Sequence, residues 1–208
     1  SNIKNNVHDD IIKRKSEIKT DFIQDVDLNI DEFKEIEKLT VILNKDGELK
    51  AYRDHLNDEK ILNSHSNIHT FKRILSNQKL LLFVSSGRVY TIDPNDLPSG
   101  KANPKSFIFF VSSNENEKII SMLVHDNNSK CIIATKFGKG FIADLSEIMT
   151  SQKKGKQLVN LKSEDSLLKI SDQVFNYIAC VSKNSKLLIF HSKELPLMKK
   201  GGGVLLQK

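Results

Sequence analysis

Four stretches of this sequence can be laid over one another, and each consists of two short apolar runs separated by a turn. They begin at Thr40, Leu82, Ile133 and Ala179. The turn positions recur after 40, 51 and 47 residues, and they are Gly47, Gly87, Gly138 and Ser185. Each turn is followed 9 or 10 residues later by a closing apolar residue: Leu56, Leu97, Ile148 or Leu195. A period in the forties that contains a hairpin is typical of propeller-like arrays, in which each unit packs against its neighbours.

The residue types in the repeats predict an all-β fold. Beyond Leu39 the chain consists of short runs rich in Val, Ile, Leu, Phe and Tyr, separated by Gly, Asn, Asp and Ser. We therefore expect strands and tight turns, arranged as about four blades in a disc that is either closed or open. The repeats divide residues 37–208 into blades at about 37–78, 79–130, 131–178 and 179–208.

Residues 1–36 differ from the repeats. Apolar residues at helical spacing between Asn6 and Lys19 predict one short helix. The remainder, from Thr20 to Glu37, is acidic and follows no clear period. We interpret residues 1–36 as a helical and extended connector.

Glycine at the turn has a physical reason. A two-residue hairpin between twisted strands needs positive φ, which glycine adopts without steric cost. Asp46-Gly47 is the strongest instance of this signal. Basic loops that contain glycine also occur at or after the closing residues, at 95–101, 151–161 and 198–206. Their basic, glycine-rich character becomes stronger towards the C-terminal end.

The charge is basic and unevenly distributed. The chain has 32 Lys and Arg against 26 Asp and Glu, which gives a formal net charge of +6. Residues 1–35 carry −3, residues 36–130 carry +2 and residues 131–208 carry +7. A cationic surface of this kind favours an anionic partner, and nucleic acid is the first candidate. The alternative explanation is that these lysines only keep the surface soluble and bind no partner.

Other chemistry has weak support in the sequence. The six histidines lack the H-E-x-x-H spacing of zinc proteases, and Cys131 and Cys180 lie too far apart for a C-x-x-C pair. We expect both cysteines to be small buried residues, and Tyr90 and Tyr177 to be buried or half-buried in strands. The glycine loops lack the G-K-[ST] ending of a phosphate-binding P-loop. Short apolar runs and the start Ser1-Asn2-Ile3 predict neither a membrane span nor a signal peptide, so we expect a cytoplasmic location.

The order of the motifs resembles a known family. The strings T-V-I-L-x-x-x-G, S-G-R-x-Y-x-I-D-P-x-x-L-P, G-K-x-L-x-N-L and L-x-x-L-P-x-x-x-K-G-G-G occur in this order over about residues 37–208. They resemble the C-terminal domain of the A-subunit of bacterial topoisomerase IV. This resemblance implies a β-pinwheel, a disc of strand-exchanged four-stranded blades whose basic rim binds and bends duplex DNA. It also implies that residues 1–36 connect the disc to the cleavage core.

The resemblance carries further expectations. A fragment without the cleavage core is expected to be non-catalytic and to hold no cofactor, whereas the rest of the holoenzyme uses ATP and Mg²⁺. Its implied partners are duplex DNA, the N-terminal cleavage core of the same polypeptide and the B-subunit of topoisomerase IV. The pinwheel of the gyrase A-subunit remains the alternative within this class, although no intact copy of its basic glycine box is present here.

The candidate DNA-binding residues are basic side chains after the turns and on the glycine loops. They are Lys50, Arg53, Arg88, Lys136, Lys139, Lys153, Lys154, Lys156, Lys186, Lys199 and Lys200. Lysines and bare backbone N–H groups suit phosphate contacts. Nothing resembles a recognition helix, so base readout is not expected. Two other classes stay open: a propeller that binds a protein, and a hydrolytic propeller that uses Asp93 and Asp144.

Overall fold

The computed structural model describes residues 35–114 and 116–207, so the helix expected between Asn6 and Lys19 lies outside the described residues. Residues 36–208 form one compact unit. Its strands are β1 (Lys38–Asn44), β2 (Glu48–Arg53), β3 (Ile68–Leu75), β4 (Leu80–Val84), β5 (Arg88–Ile92), β6 (Lys105–Ser106), β7 (Ile119–Val124), β8 (Lys130–Thr135), β9 (Lys139–Asp144), β10 (Lys156–Gln157), β11 (Leu167–Ser171), β12 (Tyr177–Val181), β13 (Leu187–His191) and β14 (Val204–Leu205). The all-β prediction is confirmed.

The strands form four antiparallel sheets, which we call blades 1 to 4. Three have four strands, in the orders β3-β1-β2-β6, β10-β5-β4-β7 and β11-β8-β9-β14, and the fourth is the pair β12-β13. In each of the first three, the hairpin expected from the repeats provides the two central strands. One outer strand of each sheet comes from the following repeat, and these strands are β6, β10 and β14. Blades 1 to 3 therefore extend beyond the residue ranges that the repeats alone assign to them. This is the strand exchange that the resemblance implies.

The hairpin glycine is the point at which the exchanged strand is held. The carbonyl oxygen of Gly47 accepts from the N–H of Phe107 (3.0 Å), and that of Gly138 accepts from the N–H of Leu206 (2.8 Å). The carbonyl oxygen of Gly87 accepts from the N–H groups of Leu158 and Val159, at 3.1 and 3.0 Å. The recurring geometry of the turn therefore joins each blade to the next repeat as well as closing its own hairpin.

Each of these three turns is a three-residue loop, so the two-residue hairpin expected from the sequence is wrong. The N–H of Gly47 donates to Asn44, that of Gly87 to Val84 and that of Gly138 to Thr135. The glycines have φ values of +79°, +76° and +72°, as in hairpins that end with one left-handed residue. The requirement for positive φ is thus confirmed, and Ser185 meets it with φ +56°.

The sheet order defines an inner and an outer edge for blades 1 to 3. The strands β3, β7 and β11 contact one another in succession, which places them at the hub. The short exchanged strands β6, β10 and β14 lie at the opposite edge of their sheets, which we call the outer edge. Two clusters of buried apolar side chains hold the blades together, one between blades 1 and 2 and one between blades 2 and 3.

Blade 4 is less complete than the others within the described residues. Tyr177, Val181, Leu187 and Ile189 are between 59% and 72% exposed, because the two strands pair only with each other. The expectation that Tyr177 is buried or half-buried is therefore wrong, and Cys180 is only partly buried. The position equivalent to Cys180 in blade 3 is Ile133, which has no exposed area.

Among the described residues, one α-helix interrupts the β-structure. Helix α1 (Asp58–Ser64) occupies a segment for which no element is predicted from the repeats. The side chain of Asn57 accepts from the N–H of Lys60 (2.9 Å), and Asp58 and Glu59 lie in the first turn. An amide cap followed by acidic residues is a recognised helix start, so the signal was present in the sequence. Ile61 anchors the helix in the interior with no exposed area.

Candidate nucleic-acid interface

The glycine loops leave and rejoin the outer edges of the blades. The carbonyl of Pro98 accepts from Ala51 of β2, and that of Pro196 accepts from Ile142 of β9, each at 3.0 Å. The chain then loops outwards and returns as β6 or β14 on the same sheet. The loop of one repeat therefore lies on the blade formed by the preceding repeat.

This exchange regroups the candidate residues. Blade 1 carries Lys50 and Arg53, blade 2 carries Arg88, Lys153, Lys154 and Lys156, blade 3 carries Lys136, Lys139, Lys199 and Lys200, and blade 4 carries Lys186. Lys136, Lys153, Lys154, Lys186, Lys199 and Lys200 are exposed, as is Arg53, whereas Lys50, Arg88, Lys139 and Lys156 are half-buried.

The outer edge of blade 2 is built around Arg88 and Gly155. Arg88 Nη1 donates to the carbonyl oxygen of Lys154 (2.9 Å), so the guanidinium holds the loop that bears Lys153 and Lys154. Gly155 has φ +66°, and a Cβ there would lie 2.7 Å from the ring of Tyr90. The loop thus needs glycine to pack against the sheet, and this packing directs two lysines outwards.

Glu147 joins the outer edges of blades 2 and 3. Lys199 Nζ lies 2.8 Å from Glu147 Oε1, and Lys156 Nζ donates to the backbone carbonyl of the same residue. The hydrogen bond to Glu147 raises the pKa of Lys199, so this amine stays charged. Glu147 is absent from the residues predicted from the sequence, because a carboxylate 52 residues away from Lys199 gives no local signal.

Blade 1 carries further basic residues that the candidate set omits. Lys101 and Lys105 are exposed on its exchanged loop and on β6. Lys50 Nζ lies 5.1 Å from the ring centroid of Tyr52, and Arg53 approaches Glu37 at 4.0 Å. The weak glycine loop at 95–101 is the sequence signal for Lys101, but only the strand exchange brings this loop to the cleft that Arg53 lines.

Asp93 and Asp144, the acids considered for hydrolysis, have local structural contacts. Asp93 caps a 3₁₀ turn through the N–H of Asn95 (2.9 Å) and pairs with Lys79. Burial raises the pKa of Asp93, but the hydrogen bonds from Lys79 and Asn95 outweigh it and lower the pKa overall. Hydrogen bonds from Ser146 likewise lower the pKa of Asp144. Both carboxylates act as turn caps in ionised form.

A partly buried polar network connects the hairpin of blade 2 with the segment before β7. The carboxylate of Glu117 accepts from the hydroxyls of Ser86, Ser113 and Tyr90. Burial raises the pKa of this carboxyl, but the three hydroxyls lower it overall. The network fixes the hairpin that carries Arg88.

The remaining chemical groups do not form a second site among the residues described. No cluster of three or more His, Cys, Asp or Glu side chains suited to a metal ion occurs in 35–114 and 116–207. Burial raises the pKa of the Cys131 thiol to about 12, which agrees with its predicted role as a buried apolar residue. Within the same residues, no helix has both the length and the apolar character needed to cross a membrane.

In sequence, this chain is similar to the C-terminal domain of DNA gyrase and to A-subunits of DNA topoisomerase 4. A family model described as DNA gyrase C-terminal domain, beta-propeller matches residues 129–171 and 176–208. The A-subunit of DNA topoisomerase 4 from Rickettsia felis is 31% identical over 175 residues, and that from Caulobacter vibrioides is 30% identical over 173 residues. These matches cover 83% and 82% of this chain but 24% and 23% of the relatives, so the chain spans about a quarter of their length.

Solved structures share the fold. The Escherichia coli ParC C-terminal domain superposes with a TM-score of 0.72 at 23% identity, covering 80% of this chain and 70% of that chain. A C-terminal domain of DNA topoisomerase IV gives a TM-score of 0.69 at 19% identity, covering 82% and 57%. The DNA gyrase A C-terminal domain gives 0.57 at 19% identity, covering 80% and 59%. The resemblance inferred from the sequence motifs is confirmed: this chain is a β-pinwheel similar to the C-terminal domain of the A-subunit of bacterial topoisomerase IV.

Proposed function

We propose that this chain is the non-catalytic C-terminal DNA-binding domain of a topoisomerase IV A-subunit. It binds duplex DNA through the basic loops on the outer edges of its blades. It presents the bound segment for strand passage by the whole enzyme, which decatenates and relaxes DNA. The observation that carries the proposal is the placement of glycine-containing basic loops on the outer edges of three consecutive blades.

The chemistry of these loops suits a phosphate backbone. Lysine ammonium groups provide charge, and the open glycine backbone provides N–H donors that can approach closely. A duplex that touches the outer edges of more than one blade must curve, because these edges face away from a common hub. We therefore propose that binding bends DNA and depends little on base sequence.

The rest of the enzyme follows from the same proposal. Residues 1–36 connect the pinwheel to the cleavage core of the same polypeptide, and the B-subunit of topoisomerase IV is the second partner. ATP and Mg²⁺ act in those parts, so this chain needs neither. The complete enzyme works in the cytoplasm on chromosomal DNA. A captured duplex gains effective concentration near the core, which is how a non-catalytic domain accelerates the reaction.

The salt dependence of binding tests the proposal. In a fluorescence-anisotropy titration with a duplex of about 40 base pairs, we expect affinity to fall steeply with salt, since each neutralised phosphate adds about 0.9 to the logarithmic slope. A protein-binding propeller would show little binding to the duplex and little dependence on salt. A folded sample that fails to bind the duplex even at low salt contradicts the proposal.

A further inference from the structure

A cleft of about 620 Å³ lies on blade 1, between the end of β2, helix α1 and the loop at 98–101. The ionisable side chains in its lining that can carry a positive charge are Arg53, Lys60 and His65, and no carboxylate among the described residues lines it. The lining includes Tyr52, Arg53, Lys60, Ser64, His65 and Gly100. The wall formed by residues 98–101 contributes no charge to the lining, and Lys50 approaches from β2, over the ring of Tyr52.

The cations of the cleft have weak partners among the described residues. The Arg53 side chain is 82% exposed, and its nearest carboxylate, on Glu37, lies at 4.0 Å. Lys60 forms no ion pair within 35–114 and 116–207. Asp58, an acidic residue of the same helix, pairs with Arg73 and not with Lys60. An anion in the cleft therefore meets positive charges that are not already neutralised.

Tyr52 and His65 form the polar wall of the cleft. The Tyr52 hydroxyl lies 2.7 Å from His65 Nε2, and His65 Nδ1 lies 3.3 Å from the carbonyl oxygen of Ile61. A carbonyl only accepts, so Nδ1 carries the proton, and in the neutral ring Nε2 accepts from Tyr52. Burial raises the pKa of Tyr52, which keeps this hydroxyl protonated.

Protonation of His65 would reverse this hydrogen bond. Nε2 would then donate to the Tyr52 oxygen, and the hydroxyl proton of Tyr52 would become free to point into the cleft. The cations that share the cleft with the imidazole are Arg53 and Lys60, and Lys50 lies over the ring of Tyr52. A bound anion beside the imidazole favours its charged form. Anion binding and protonation of His65 are therefore coupled.

We propose that this cleft binds a phosphate group through Arg53 and Lys60, and that the Tyr52 hydroxyl adds a further contact when His65 is protonated. The phosphate belongs either to the backbone of bound DNA or to a soluble phosphate compound. The first case deepens the proposed function and rests on it, because it adds Lys60, Tyr52 and His65 to the basic residues on blade 1.

The test uses the full chain in two arms. In the first, NMR signals of the His65 ring, assigned by comparison with His65→Gln, are followed while pyrophosphate or a duplex of about 40 base pairs is added. In the second, duplex affinity is measured at pH 6 and pH 8 for the wild type and for His65→Gln, which retains a hydrogen-bonding side chain but does not titrate. The other histidines are the same in both proteins and cancel in the comparison.

We expect the wild type to gain about threefold more duplex affinity than His65→Gln between pH 8 and pH 6, the size of one exposed charge contact. That gain, with His65 signals moved by the duplex, supports a DNA phosphate in the cleft. Saturable movement with pyrophosphate alone supports a soluble phosphate compound. His65 signals unmoved by both probes overturn the proposal, and duplex binding in the same sample shows that the proposed function stands regardless.

Discussion

Replacement of Lys153, Lys154, Lys156, Lys199 and Lys200 by alanine is expected to lower duplex affinity by about 100-fold at low salt. These residues lie on the exchanged segments of blades 2 and 3, where the strand exchange brings two sequence-distant loops together. The salt slope should fall by about one for each lysine that contacts a phosphate. Anisotropy titrations at several salt concentrations measure both quantities.

A second variant with the same change in charge provides the control. Its substitutions are Lys38→Ala, Lys45→Ala, Lys118→Ala, Lys130→Ala and Lys169→Ala, all at exposed positions outside the exchanged segments. If only the net charge mattered, both variants would lose the same affinity. We expect the control to retain most of the binding, and equal losses would contradict an outer-edge interface.

Gly87→Ala is expected to lower the free energy of unfolding by about 3 kcal/mol. The φ of +76° alone costs an alanine about 1 kcal/mol. A Cβ would also lie 2.7 Å from the carbonyl oxygen of Val159 and 2.9 Å from its Cβ, and such overpacking costs about 1 to 3 kcal/mol more. Because Val159 follows the exchanged strand β10, the substitution weakens the joint between blade 2 and the next repeat. Urea denaturation measures the effect.

Gly138→Ala is the matched control for this substitution. Gly138 has the equivalent position in blade 3 and a similar φ of +72°, but a Cβ there would meet no atom within 4 Å. We expect a loss of about 1 kcal/mol, from backbone conformation alone. Equal losses for both variants would show that the close approach of Val159 does not constrain Gly87.

The hairpins could be predicted from the sequence because their signals are local. An apolar run, a turn residue and a second run repeat with nearly constant spacing, and the structure confirms positive φ at Gly47, Gly87, Gly138 and Ser185. The buried role of Cys131 followed from its position in such a run. The position in the repeat wrongly predicted burial of Tyr177 and full burial of Cys180. Burial needs neighbouring strands, which blade 4 lacks among the described residues.

The composition of the candidate site could be predicted, but its grouping could not. Lysines and glycines mark the loops, yet the pairing of β10 with β5 and of β14 with β9 decides which blade each loop joins. That pairing is non-local, so Arg88 meets Lys154 across 66 residues without any sequence signal. Glu147 and the cleft around His65 were missed for the same reason, since their partners come together only in the fold.

Lysine footprinting tests the central claim most directly. The folded chain is treated with an acetylating reagent in the presence and absence of a duplex of about 40 base pairs, and the modified lysines are quantified by mass spectrometry. We expect the duplex to protect Lys153, Lys154, Lys199 and Lys200 while Lys118, Lys130 and Lys169 remain reactive. Protection that is uniform over both sets, or confined to the second, would contradict binding at the outer edges.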